Sequence, residues 1–150
     1  MTAQPRIGKV DFSIGTETYQ TWYRVLGPID ALGRALLVLL HGGPGMTHHY
    51  MLPHKILFEK SNVPTVLYDQ IGNGESSHIK NKPAEFWNPK LFMDELDNLL
   101  KHLGIYENFD LLGHFWGGMS TRYCTSRSIT LISVQECLLR IMQPKDLIRA

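Results

Sequence analysis

The chain has 150 residues, 43% of them hydrophobic, with 15 Lys and Arg against 14 Asp and Glu for a net charge of +1. That length is one domain's worth, and the hydrophobic content excludes a chain disordered throughout. The balanced charge gives no electrostatic reason for a nucleic acid or an anionic membrane surface as partner.

Met1 to Val10 has no apolar stretch of the kind a secretory leader needs. Lys9–Ile14 alternates weakly and is predicted as a strand ending at Gly15. Thr18–Leu26 mixes aromatic and β-branched residues, stops at Gly27-Pro28, and is predicted as its hairpin partner, so that edge of the sheet is expected to be antiparallel. Ala35–Leu40 is short and apolar throughout, the pattern of a strand buried on both faces. It is the longest apolar run and far too short to span a bilayer. It leads directly into His41-Gly42-Gly43-Pro44-Gly45. Thr65–Tyr68 is predicted as another such strand, followed by Asp69-Gln70-Ile71-Gly72-Asn73-Gly74-Glu75-Ser76. Leu91, Leu96, Leu99, Leu100 and Leu103 fall at helical spacing, with Gly104 as a natural stop. Phe109–Leu112 is predicted as the strand feeding Gly113-His114-Phe115-Trp116-Gly117, with a helix from Gly117 to Ser126 behind it. Ile129–Val134 reads as one more strand, and a short helical pattern from Gln135 ends at Pro144. Strands alternating with helices predict an α/β architecture with a mostly parallel sheet. Cys124 and Cys137 form no CxxC and no metal-ligand spacing, which suits a reducing compartment, and the expected location is the cytoplasm.

Gly113 to Gly117 has the Gly-x-Ser-x-Gly frame of a nucleophile elbow, a sharp strand-to-helix turn that exposes a serine hydroxyl above a sheet. Phe115 stands where the serine belongs, and phenylalanine has no atom that attacks a carbonyl or gives up a proton. The glycines of His41–Gly45 expose backbone N–H groups after a buried strand, as an oxyanion hole requires. Pro44 has no N–H, which favours Gly43 as the donor. Taken alone, the cluster slightly favours a tight turn, and with the elbow frame it favours the oxyanion hole; no Gly-Lys-Ser/Thr follows to make it a phosphate loop. Asp69–Ser76 contains a Gly-x-Gly but not the rest of a dinucleotide fingerprint, and reads as a structural loop. Ser76 lacks the strand-turn-helix setting of a nucleophile. His48, His49 and His54 match no common zinc spacing and read as ordinary polar histidines near a cleft.

In this order, the His41–Gly45 cluster, the Asp69–Ser76 loop and Gly113-His114-x-Trp116-Gly117-Gly118-Met119 together resemble the proline iminopeptidase branch of the α/β-hydrolase superfamily, which includes amino-acid amidases. The resemblance covers Phe12 to Val134. It implies a partial α/β-hydrolase fold: a mostly parallel sheet of about six strands with flanking helices, with the cap and last strands missing. Residues 1–134 would be the first part of the domain and residues 135–150 a divergent helical tail. The resemblance implies a serine nucleophile with an Asp and a His, and release of N-terminal proline or other residues from small peptides or amino-acid amides. It implies no metal and no organic cofactor. Gly43 and Trp116 would give the two oxyanion N–H groups. His41, Gly42, Pro44, Gly45, Asp69, Gln70, Gly113, His114 and Gly117 carry the motifs.

Three departures bear on activity. Phe115 replaces the nucleophile, the family's triad acid and histidine have no counterpart in the chain, and neither has its cap. The expectation is a catalytically inactive member of the family. A non-catalytic binding module using the remnant cleft, and an active aminopeptidase whose gene has been read incompletely, are the alternatives. The apolar faces of Ile129–Val134 lack the strands that would cover them, so self-association through that edge is expected.

Overall fold

The computed structural model describes residues 5–29, 36–43, 45–114 and 116–117. Pro44, Phe115, both cysteines, the helix expected beyond Gly117, the strand expected at Ile129–Val134 and the tail at 135–150 lie outside the described residues. Among the described residues nine elements follow in order: β1 (Arg6–Ile14), β2 (Glu17–Leu26), β3 (Leu36–Leu40), a 3₁₀ segment (His48–His54), α1 (Lys55–Ser61), β4 (Thr65–Tyr68), a second 3₁₀ turn (Ala84–Phe86), α2 (Pro89–Leu103) and β5 (Phe109–Gly113). Five strands form one mixed sheet in the order β1-β2-β4-β3-β5. β1 and β2 make the expected antiparallel hairpin, joined at Gly15, whose φ of 61° suits a tight two-residue turn. β2 pairs antiparallel with β4, and β3 lies parallel between β4 and β5.

The central strands are buried along their whole length, and their continuous apolar sequence hides an alternation of period two. Leu36, Val38 and Leu40 face one side, where they meet Leu96, Leu99, Leu100 and Leu103 of α2. Leu37 and Leu39 face the other, against Met51 and Leu57 of the 3₁₀ segment and α1. The sheet is therefore covered on both faces, as a parallel sheet requires.

α2 begins where Asn88 caps it, its side chain accepting the Leu91 N–H at 3.1 Å, and Pro89 takes the first helical turn, where its missing N–H costs nothing. It ends at Gly104, in the left-handed conformation with φ 71°. The 3₁₀ segment and α1 have no counterpart in the sequence reading. They are short, and the seven residues of α1 present one buried leucine, Leu57, too little to show a period.

Candidate active site

Because β3, β4 and β5 run parallel, the segments that follow them emerge at one edge of the sheet, the edge where open α/β sheets bind ligands. The three sequence motifs are those segments. Their contacts are specific.

His41 is buried, with Nδ1 donating to the Gly42 carbonyl at 2.6 Å and Nε2 accepting the Gln70 N–H at 2.9 Å. Those partners fix the tautomer, and burial pushes its pKa below the usual histidine value, so the ring stays neutral. With both nitrogens engaged, His41 is a structural link between the first two motifs.

The carboxylate of Asp69 is the anchor of the second motif. Oδ1 accepts the His48 N–H at 2.6 Å; Oδ2 accepts His48 Nδ1–H at 2.8 Å and the Glu75 N–H at 2.9 Å. Gly74 has φ 52°, and any Cβ there would overlap the Asp69 carboxylate, so the chain closes around this group only with glycine. The Asn73 side chain accepts the Gly45 N–H at 3.1 Å, a further tie between the motifs. Ser76 donates to the Asp69 carbonyl at 2.5 Å and accepts the Trp22 N–H at 2.7 Å; buried and doubly engaged, it is a loop clasp and no nucleophile.

The third motif leaves β5 at Gly113, opposite Leu40. The His114 N–H continues the ladder to the Leu40 carbonyl at 3.1 Å, and Gly117 donates to the His114 carbonyl at 3.0 Å. A Cβ on Gly117 would overlap the Leu40 carbonyl and lie 2.8 Å from that of His41, so the turn approaches β3 only through glycine. Trp116 packs edge-on against Phe92, centroids 5.8 Å apart, and its Cδ1 lies 3.6 Å from where a Gly43 Cβ would be. The two residues expected to flank an oxyanion are neighbours.

Three participants escaped the sequence reading. His48 is not an ordinary polar histidine: it is buried, paired with Asp69, and its ring lies between those of Trp22 and His49, each centroid 4.2 Å away. His49 and His54 make local bonds, to Thr47 Oγ1 and the Met51 carbonyl. Tyr50 accepts the Gly42 N–H at 2.5 Å and sits 3.1 Å from His114 Nδ1. Glu95 is fully buried, its Oε1 accepting from Thr21 Oγ1 at 2.6 Å and from the Ile71 N–H at 2.9 Å. Burial raises its pKa to about 8. Nothing in sequence marks a pairing of residues 48 and 69, but Glu95 stands within the leucine stripe of α2, and a charged residue on a buried stripe is a readable signal.

The sequence pattern of the alpha/beta hydrolase fold matches residues 35–137, and the chain belongs to that family. A proline iminopeptidase of Clostridium botulinum is 43% identical over 101 residues, 67% of this chain and 33% of that protein. The proline iminopeptidase of Clostridioides difficile is 44% identical over 101 residues, with the same shares of 67% and 33%. Of solved structures, VinJ aligns with a TM-score of 0.69 at 47% identity, covering 77% of this chain and 38% of that one. A proline iminopeptidase of Mycobacterium smegmatis aligns with a TM-score of 0.66 at 38% identity, with the same coverage of 77% and 38%. The chain spans about a third of the length of the curated relatives it matches.

Proposed function

We propose that this chain is the first part (residues 1–134, with a divergent tail at 135–150) of a proline iminopeptidase-like hydrolase that has lost catalysis. The observation that carries the reading is Phe115 at the centre of an otherwise intact elbow frame. The parent reaction would be attack by a serine at that position on a small peptide or amino-acid amide, with the resulting oxyanion held by the Gly43 and Trp116 N–H groups. The proximity of Trp116 to the space beside Gly43 supports that assignment. Loss of such a nucleophile removes on the order of a millionfold in rate.

The test is release of arylamine from a prolyl arylamide by the purified 150-residue chain. We expect none above a heat-killed control, and none from Phe115→Ser either. A new serine would need a base, and both ring nitrogens of His41, the histidine of the glycine loop, are already engaged. Turnover by the unaltered chain would overturn inactivity; turnover by the variant would show that another histidine serves as base.

The same reading has the chain self-associate through the sheet edge beyond β5, where Ile129–Val134 is expected to present apolar faces. Sedimentation velocity should show species larger than a monomer. A single monomeric boundary with a cooperative melt would count against it.

A further inference from the structure

The glycine loop after β3 is braced on two sides. On the β4 side it is tied by Gln70, Asn73 and Asp69, through His41, Gly45 and His48. On the β5 side Tyr50 makes a side-chain contact. Its hydroxyl accepts the Gly42 N–H at 2.5 Å and lies 3.1 Å from Nδ1 of His114, the residue before the elbow position. The two rings are tilted at 57° with centroids 5.3 Å apart, so the ring edges meet at the polar atoms. There is little slack in this arrangement: a Cβ on Gly42 would stand 3.3 Å from both the Tyr50 hydroxyl and the His114 carbonyl.

We propose that Tyr50 is a positioning residue, a strut whose hydroxyl fixes the distance between the glycine loop and the elbow turn and so aligns the N–H groups of Gly43 and Trp116. The inference rests on the hydrolase reading for what that pair does, but the strut itself does not. Burial raises the phenol's pKa, which keeps its proton in place at neutral pH. In the proposed strut the hydroxyl accepts from Gly42 and its O–H is assigned as donor to His114 Nδ1, which puts the imidazole proton on Nε2.

Tyr50→Phe deletes the hydroxyl and keeps the ring. Hydrogen–deuterium exchange at single-residue resolution, which tolerates self-association, should show the Gly42 amide exchanging at least tenfold faster. Val38 and Val66, at the centre of the sheet, should not change. ¹⁵N spectra of the labelled chain should show His114 as the Nε2–H tautomer in the unaltered protein and as a mixture in Tyr50→Phe. His114→Asn, which keeps an acceptor near Nδ1, should preserve slow exchange at Gly42, and His114→Leu should behave as Tyr50→Phe does. Unchanged Gly42 exchange in Tyr50→Phe, equal acceleration at Val38 and Val66, or wild-type behaviour of His114→Leu would each overturn the strut. Titration with acetate separates the two readings. Absence of any carboxylate-dependent shift at the Gly43 and Trp116 amides would sink the oxyanion assignment, while the exchange and tautomer data still decide the strut.

Discussion

Glu95 is a carboxyl group without water, and its place in the molecule makes it a pH sensor of stability. An unfolded chain ionises this group at its ordinary value of 4.5, whereas the folded chain keeps it protonated until about 8. Folding therefore binds a proton across that window. The group's contribution is fully present below 4.5 and is lost as pH rises through 8, at about 1.4 kcal/mol per pH unit within the window. His41 works in the opposite sense, its pKa lowered by burial, so its effect is confined to pH below 6.5. Urea unfolding between pH 7 and 9 should thus show the unaltered chain weakening while Glu95→Gln stays flatter. The amide retains the oxygen that accepts from Thr21 and Ile71. Parallel slopes for the two proteins would mean that Glu95 is ionised in the folded state. Asp69, buried nearby, disfavours that ionisation further.

Elements with a strong local signal were legible. β4 occupies Thr65–Tyr68 as its apolar run predicts, and α2 carries its leucine stripe up to the Gly104 stop. The cap of α2 rests on one side chain. Asn88→Ala should cost about 1 kcal/mol, read as a lower urea midpoint with an unchanged slope. No loss would mean that the Leu91 N–H finds water as readily as Asn88. The 3₁₀ segment and α1 were illegible for a physical reason: they are held by what they touch, Met51 and Leu57 against the sheet and His48 against Asp69, not by their own periodicity. The motif loops were legible as positions and less so as contacts. Glycine spacing revealed where His41–Gly45, Asp69–Ser76 and Gly113–Gly117 lie, but the bonds joining them connect residues far apart in sequence, such as His41 with Gln70 and Tyr50 with His114.

Across the whole molecule, one row of residues runs through four strands: Val25, Val66, Val38 and Leu111 pair in register, and all are buried. β3 and β4 each have partners on both sides, while β1 is an edge strand with Ile7 exposed. Native-state hydrogen exchange should accordingly be slowest at Val38 and Val66 and fastest along the outer side of β1. Equal protection of β1 and β3 would indicate that something else covers that edge. The inter-motif ties lie just beyond this row, at the C-terminal ends of β3, β4 and β5, so the site's frame is anchored on the sheet's centre.

The glycine at position 117 has a consequence of its own. Its backbone lies against the carbonyls of Leu40 and His41, so it answers to sterics and would be required whether or not the protein performs any reaction. Under the proposed loss of catalysis, selection for a nucleophile at position 115 would lapse while folding still polices the glycine two places on. The elbow would then resemble a worn coin, its rim intact after the face has gone.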